Sequence, residues 1–366
     1  MNKNRYIPHP GVYIKDAIED IGITQTEFAS RLGLTSKNLS TLISGESNIT
    51  FDIAVKLANY FGNSVEGWIN LQTKYEMYKN EEVFQRELKE EWKIVKLFDK
   101  EFIKQILNKE IVYSFDEKII ILFRKIFNVS SLLNLKRIDL YASYKASSKK
   151  ELSEENIILR NAWISLADQY SRDIKCSPFN KNELLKHIPY LKRLTLKGEE
   201  AFNGEIQLLL EAVGVKLVIL PYLKNSNISG VTKRNPSNQT VMIAINDFNK
   251  SNDNIWFTLF HELGHAVKNH KRNFTISFIN SSLNDKDEIE ANEFASSSLI
   301  NQQAYDEFIK NGNFSISAIN KFARQNEVAN YIVVGRLQKD KYFGPSEFNN
   351  VKTDYLVSRN EKFFDL

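Results

Sequence analysis

Residues 256–270 read WFTLFHELGHAVKNH, and this stretch decides how the C-terminal half of the chain folds. Apolar side chains surround His261 and His265, so the pattern predicts a buried helix. Residues four apart lie on one face of a helix, so both imidazoles can reach one metal ion. Glu262 then lies about 100° round the helix, beside the ion. The H-E-x-x-H spacing therefore predicts two metal ligands and a general base.

A third ligand is expected on the next predicted helix, where Glu288 and Glu290 compete. Glu288 is favoured because it shares a face with small residues such as Ala291, which allow two helices to approach. Asn292, one turn further on, could orient an imidazole. Two histidines, one carboxylate and an open fourth position are typical of a catalytic Zn²⁺ site. The alternative interpretation of the histidine pair is a hydrogen-bonded core without metal.

Such a site hydrolyses peptide bonds, because the ion polarises a carbonyl while Glu262 transfers a proton. The expected enzyme is a zinc metallo-endopeptidase. The candidates for stabilising the oxyanion are His270, Tyr222 and Tyr305, and the sequence does not choose between them. A strand such as Ile228–Thr232 is expected to bind an extended substrate at the sheet edge.

The sequence around the histidine pair predicts a small sheet. Val215–Leu220 and Thr240–Ile245 are apolar runs rich in β-branched residues, which favour strands. Ile228–Arg234 is expected to pair with the second run across the turn at 235–238, giving about three strands. Glycine and proline total only 14 + 7 = 21 residues, which favours helix elsewhere. The predicted fold class is mainly α with a small β-sheet (α+β).

The segment Gly22–Gly45, GITQTEFASRLGLTSKNLSTLISG, has the pattern of a helix-turn-helix. Thr24 caps a first helix and Gly33 allows the turn before a second. Basic and acidic residues balance over residues 1–79, so attraction to DNA must come from this local face. The side chains predicted to contact bases and phosphates are Gln25, Thr35, Ser36, Lys37, Asn38 and Thr41.

At 366 residues, with 42% hydrophobic and 26% charged residues, the chain is long enough for several domains. We expect a helix-turn-helix bundle at 1–79, a helical connector at 80–200, a metallopeptidase domain at 201–343 and a polar tail at 344–366. Residues 81–104 are expected to form one long amphipathic helix.

Cysteine content and hydropathy indicate the cellular compartment of the protein. Cys176 is the one cysteine of the chain, so an internal disulfide is excluded. No apolar run reaches the length of about 18 residues that a membrane span needs. The expected location is cytoplasmic, without a membrane partner.

Residues of about 205–300 resemble the ImmA/IrrE family of zinc metallopeptidases. The matching pieces are GVKLVILP, ISGVT, TVMIAIN, WFTLFHELGHAVKNH and EIEANEFASSSLI. The resemblance implies a gluzincin-like protease in which the first Glu of E-x-x-A-N, Glu288, is the third ligand. It also implies specific cleavage of a protein substrate such as a repressor. Residues 322–338 resemble the helical tail of the family. The two interpretations of this segment are a second helix-turn-helix-like element and a plain amphipathic helix pair.

Residues 9–76 are similar to the XRE-type domain of HigA antitoxins, from His9-Pro10-Gly11 to the ending at Gln72. This resemblance implies operator binding as a homodimer, autorepression and a toxin partner. The combined expectation is a DNA-binding transcriptional regulator that carries a zinc endopeptidase. The alternatives are a HigA-type antitoxin whose zinc site is structural or vestigial, and a regulatory peptidase whose helical bundle binds protein rather than DNA. His9 and His187 are expected to hydrogen-bond locally and not to bind metal.

Overall fold

The computed structural model describes residues 6–108, 110, 112, 114–137, 153–237, 239–247, 251–268, 274–279 and 286–355. The chain divides into two compact units, Met1–Glu90 and Glu91–Leu366. Helices dominate the described residues, and a small sheet lies in the second unit, which confirms the predicted fold class.

The N-terminal unit is a helical bundle with its own core. Its helices are α1 (Pro10–Ile21), α2 (Gln25–Arg31), α3 (Ser36–Ile43), α4 (Phe51–Phe61), α5 (Val65–Lys79) and the first part of α6 (Glu81–Val95). Thr24, Thr35 and Thr50 begin α2, α3 and α4, each accepting a hydrogen bond from a backbone amide of the first turn. The buried core consists of Ile14, Ile18, Phe28, Ala29, Leu32, Leu39, Leu42, Ile49, Ala54, Leu57, Ala58 and Trp68.

The predicted helix-turn-helix is present as α2 and α3. Gly33 has φ +63° between them, a conformation that an L side chain rarely adopts. The amide of Leu34 donates to the carbonyl of Ala29 at 2.8 Å, which closes the turn. Because Phe28 and Leu39 are both fully buried, the two helices share one core.

The second unit begins with helices that hold no predicted site residue. These are the last part of α6, α7 (Lys100–Leu107), α8 (Glu117–Ile126), a 3-10 turn (Leu132–Lys136), α9 (Glu154–Asp173), α10 (Lys181–Arg193), a 3-10 segment (Leu194–Phe202) and α11 (Glu205–Ala212). After them come β1 (Val215–Leu220), β2 (Ile228–Asn235), β3 (Thr240–Asn246), α12 (Asn252–Lys268), β4 (Phe274–Phe278), α13 (Lys286–Leu299), α14 (Gln302–Asn311), α15 (Ile316–Gln325), α16 (Asn330–Lys339) and a 3-10 turn (Asn349–Val351).

The prediction of one long helix over 81–104 is wrong, because the helix breaks between Val95 and Lys100. Asp99 starts α7 by accepting a hydrogen bond from the amide of Phe102 at 2.8 Å. The break allows Phe98 to stack on Phe127, with ring centroids 4.9 Å apart. Aromatic packing between helices therefore overrides the helical periodicity.

A single buried carboxylate ties these helices together. Glu91, on α6, accepts hydrogen bonds from the Arg124 guanidinium at 2.7 and 2.8 Å, from Ser131 Oγ at 2.9 Å and from the Leu132 amide at 2.9 Å. Burial pushes the pKa of Glu91 upward, but these donors outweigh it and lower the pKa below its usual range.

The sheet has the order β1-β3-β2-β4. β1 is parallel to β3, and β2 is antiparallel to both β3 and β4. The register aligns Arg234 with Val241, as the predicted hairpin requires. The expected number of strands is too small by one, since β4 was not predicted. Its sequence, FTISF, does alternate apolar and polar residues.

Helix α12 packs against the sheet and carries the central sequence motif into the core. The helix pair predicted at 322–338 is present as α15 and α16. The residues of α16 that lie in the same core as α12 are Tyr331, Ile332, Val333, Val334 and Leu337. With this face buried, α16 packs in the core of the second unit.

The described part of the predicted polar tail is attached to the second unit. Tyr355 is buried, and its hydroxyl lies 3.0 Å from that of Tyr331 on α16. The amide of Asn252, the first residue of α12, donates a hydrogen bond to the carbonyl of Thr353 at 3.0 Å. The segment therefore covers the start of α12.

Candidate metal centre and helix-turn-helix face

Two helices bring the three predicted metal ligands together. His261 and His265 lie on α12, and Glu288 lies on the first turn of α13. The helices approach closely because a Cβ at Gly264 would lie only 3.1 Å from the Cα of Ala291. Small residues at the crossing, as the sequence predicted, thus place the carboxylate beside the imidazoles.

The ligand atoms of this metal cluster, which we define as His261, His265 and Glu288, converge on one point. The two Nε2 atoms are 3.0 Å apart, and they lie 3.5 and 3.2 Å from the carboxylate oxygens of Glu288. Ligands at Zn–N and Zn–O distances of about 2.0–2.1 Å in a tetrahedron are roughly 3.3 Å from one another. The spacing and the donor set therefore fit one tetrahedral divalent ion.

The electrostatics of the cluster suit a cation. Burial raises the pKa of Glu288, but hydrogen bonds with His261 and His265 outweigh burial and bring it down to about 2. Burial lowers the pKa of His265, but its hydrogen bond to Glu288 and the charges of Glu262 and Glu288 raise it by more. The cluster thus carries an ionised carboxylate in a site nearly closed to water.

Neighbouring side chains orient the first histidine. Asn292 Oδ1 lies 3.1 Å from His261 Nδ1 and can accept a hydrogen bond from its N–H, which leaves Nε2 as the ligand atom. This is the partner that the sequence predicted. Ser277 Oγ lies 3.1 Å from His261 Nε2. Ser277 belongs to β4, so sequence reasoning missed it together with the strand.

Glu262 is fully buried and is fixed by strand β2. Its Oε2 accepts a hydrogen bond from Thr232 Oγ1 at 2.6 Å. A Cβ at Gly230 would lie 2.4 Å from Oε1, so only glycine leaves room for the carboxylate. Among the described residues, Oε1 has no hydrogen-bond partner. A buried acceptor held at one end and open at the other is suited to taking a proton.

Removing the Thr232 hydroxyl tests whether it positions Glu262. For the peptide hydrolysis that the sequence predicts, Thr232→Val should lower kcat by about 10- to 100-fold, because a hydrogen bond to a charged group contributes about 1.5–3 kcal/mol. Thr232→Ser keeps the hydroxyl and should restore kcat. Metal content and KM should stay unchanged in both variants; a loss of metal in Thr232→Val would show that the residue only supports the fold.

Glu290 and Tyr305 have partners outside the cluster. Glu290 Oε1 lies 3.7 Å from Lys286 Nζ, and Glu290 does not belong to the cluster formed by the described residues. The Tyr305 hydroxyl donates to Asp340 Oδ2 at 2.7 Å and is not free to bind an oxyanion. The backbone amide of Tyr222 donates to an aspartate carboxylate at 2.7 Å. His270 lies outside the described residues.

The two other histidines among the described residues, His9 and His187, are absent from the metal cluster. His9 begins α1, and its Nδ1 accepts a hydrogen bond from the Gly11 amide at 3.0 Å, the local partner that was predicted. A Cβ at Gly11 would lie 2.2 Å from the Leu42 carbonyl, so the HPG opening packs directly on α3.

The helix-turn-helix face presents the side chains predicted to contact DNA. Gln25, Ser36, Lys37 and Asn38 are exposed on α2 and α3. Two predicted contacts have structural roles. The Thr35 hydroxyl accepts a hydrogen bond from the Asn38 amide at 3.1 Å, and the half-buried Thr41 donates to the Asn38 carbonyl at 3.0 Å. Thr35 is exposed as well, and Thr41 is the one member of the predicted set that is half-buried.

Fold and site together define a helix-turn-helix domain joined to a peptidase-type domain. The helix-turn-helix family model matches residues 14–68, and the model of the IrrE N-terminal-like domain, an M78 peptidase family, matches residues 210–332. Both resemblances seen in the sequence are confirmed. No helix in the described part of the chain is long and apolar enough to cross a bilayer.

The relatives match the N-terminal domain. Antitoxin HigA-1 of Vibrio cholerae is 33% identical over 72 residues, which are 20% of this chain and 68% of the relative. The chain belongs to this helix-turn-helix family and carries, in addition, an M78 domain that indicates a metallopeptidase.

Two further proteins are similar to about a fifth of this chain. Virulence-associated protein A' of Dichelobacter nodosus is 42% identical over 71 residues, 19% of this chain and 62% of its own length. The chain therefore spans less than two thirds of that relative. A solved structure of the Pseudomonas aeruginosa antitoxin HigA with the higBA promoter is 23% identical, covers 22% of this chain and 94% of its own, and has a TM-score of 0.21.

Proposed function

We propose that this protein is a DNA-binding transcriptional regulator whose second unit is a zinc-dependent endopeptidase that cleaves a specific protein, such as a repressor. The observation that carries the proposal is the buried cluster of His261, His265 and Glu288 beside the fixed carboxylate of Glu262. The M78 match supports the peptidase part.

His261, His265 and Glu288 would hold the ion, and Asn292 would fix the ring of His261. When bound, Zn²⁺ acts as a Lewis acid that polarises the scissile carbonyl and acidifies water. Glu262 accepts the proton of the attacking water and donates it to the leaving amine. Thr232 holds Oε2, so Oε1 carries the proton. The burial of these side chains excludes bulk water and strengthens their electrostatic effect.

The expected substrate strand needs correction. Ile228–Thr232 lies in β2, which pairs with β3 on one side and β4 on the other, so it offers no free edge. In the described sheet, β4 pairs only with β2 and forms the edge, and its Ser277 contacts His261. We therefore place an extended substrate along β4, where backbone hydrogen bonds would align it with the cluster.

Metal removal is the test of the cofactor assignment. Chelation should lower the Tm of the second unit by roughly 10 °C. A ligand at about 1,000 times its Kd stabilises by about 4.1 kcal/mol, and a domain of this size shifts about 2–4 °C per kcal/mol. Adding Zn²⁺ back should restore both the Tm and peptide hydrolysis. An unchanged Tm, with no metal in the purified chain, would contradict the assignment.

From the helix-turn-helix unit we infer that DNA is the first partner. We propose that the chain binds its operator as a homodimer. A regulator that binds DNA in a bacterial-type system acts in the cytoplasm, which is the location we propose. The similarity to an antitoxin supports a toxin as a further partner. Sequence-specific binding would rely on the exposed side chains at the start of α3.

Changing Lys37 and Asn38 to alanine should weaken operator binding by about 10- to 100-fold, since each base contact is worth about 1–3 kcal/mol. Loss of Lys37 should also reduce the slope of log K against log salt by about 1 if the ammonium contacts a phosphate. Electrophoretic mobility shift across a salt series measures both. Alanine at Lys15, an exposed lysine on α1, is the matched control. Binding that is indifferent to both positions would favour a bundle that binds protein.

A further inference from the structure

A cleft of about 1080 Å³ lies next to the metal cluster in the second unit. Phe257 and Ser296 line it, and each lies one helical turn from a residue of the site. Phe257 precedes His261 on α12, and Ser296 follows Asn292 on α13. The ring centroids of Phe257 and His261 are 6.4 Å apart. The cleft therefore begins beside the place where we propose that hydrolysis occurs.

Two of the cations that line the cleft are neutralised within the protein. Lys352 Nζ lies 2.7 Å from Asp253 Oδ2. Arg336 Nε lies 3.6 Å from Asp340 Oδ2, and its guanidinium stacks on the Tyr305 ring at 3.8 Å. Because these groups already have partners, neither cation offers strong attraction to a ligand.

Lys339, the third cation of the cleft, differs from them. It forms no ion pair with a described residue, and its Nζ lies 3.8 Å above the ring centroid of Phe257. A cation–π contact turns one N–H of the ammonium toward the ring, and the other N–H groups can donate to an anion. The side chain of Lys339 is exposed, so a carboxylate can reach its ammonium from solvent.

We propose that Lys339 is a specificity-determining residue that binds a carboxylate of the peptide substrate near the bond to be cleaved. The proposal rests on the proposed peptidase function. Lys339 Nζ lies 3.8 Å from the centroid of the Phe257 ring, and that centroid lies 6.4 Å from the centroid of the His261 ring. Nζ is therefore within about 10 Å of the His261 ring. An extended peptide advances about 3.3 Å per residue, so the carboxylate lies within about three residues of the scissile bond. Its source is an Asp or Glu side chain or the C-terminus of the substrate.

The test measures peptide binding to the full chain with Glu262→Gln, which keeps the site but prevents turnover. Fluorescent peptides are compared in pairs that differ only as Asp and Asn, as Glu and Gln, or as a free and an amidated C-terminus. We expect the acid member to bind about 10-fold tighter, with the difference shrinking as salt rises. The kind of pair that responds identifies the source of the carboxylate.

Substitutions assign the preference to one side chain. Lys339→Met in the same background should abolish the preference, and Lys339→Arg should retain it. Lys341→Met, a change at an exposed lysine that does not line the cleft, should also leave it intact. The proposal is overturned if acid and amide forms bind equally, or if Lys341→Met removes the preference as completely as Lys339→Met. If the preference is present but the wild-type chain hydrolyses no peptide, the subsite stands and the peptidase proposal fails.

Discussion

Glu262→Gln is expected to lower kcat for peptide hydrolysis by about 10²- to 10⁴-fold, the range attributed to a general acid–base group. Glutamine has the same shape as glutamate, so it fits the fully buried position against Gly230 and still accepts a hydrogen bond from Thr232. It cannot take a proton from water at neutral pH. The loss should therefore fall on kcat, while substrate binding is preserved.

The measurement pairs hydrolysis rates with metal content. Glu262→Gln should retain about one zinc per chain, because Glu262 is not a ligand in this account. Glu293→Gln, a change at an exposed carboxylate on α13, serves as the control and should behave as the wild type. If Glu262→Gln keeps full hydrolysis, Glu262 is not the general base. If the regulatory phenotype persists in a variant that has lost hydrolysis, the zinc site is structural or vestigial.

Glu288→Ala is expected to lower the affinity for Zn²⁺ by more than about 100-fold. Loss of a partner that only orients a ligand costs about 10- to 100-fold, and loss of a ligand should exceed this. The change removes the negative charge that lies 3.2 and 3.5 Å from the two Nε2 atoms. Titration with a competing chelator measures the affinity.

Glu290→Ala is the matched control for this prediction. Glu290 lies two residues further on the same helix and pairs with Lys286 at the surface. Its removal should leave zinc affinity within about twofold of wild type, since exposed ion pairs contribute only about 0–1 kcal/mol. Equal losses in both variants would mean that α13 supports the site without providing a ligand. A loss only in Glu290→Ala would reverse the assignment.

The sequence predicted those parts of the fold that local patterns encode. The H-E-x-x-H helix, the hairpin of β2 and β3, and the turn at Gly33 each depend on residues close in sequence. The break before Asp99 depends on aromatic contacts between distant helices, such as Phe98 with Phe127, and no local pattern contains them. Strand β4 was missed because five residues give too short an alternation to stand out.

The same distinction applies to the site. Helical spacing placed His261 and His265 on one face, and the small residues near Glu288 indicated the correct side of the next helix. The role of Thr232 depends on the pairing of β2 within the sheet, which brings a residue 30 positions away against Glu262. The tight fit of Gly230 has the same origin. The glycine and threonine of ISGVT could have drawn attention, but only tertiary structure shows what they contact.

The most direct test of the central claim is a crystal structure of the zinc-loaded chain with diffraction data collected on both sides of the zinc absorption edge. We predict one anomalous peak per chain, about 2.0–2.1 Å from the Nε2 atoms of His261 and His265 and about 2.0–2.2 Å from a carboxylate oxygen of Glu288. A peak bound by other residues, or zinc-loaded crystals with no peak between these three side chains, would contradict the account.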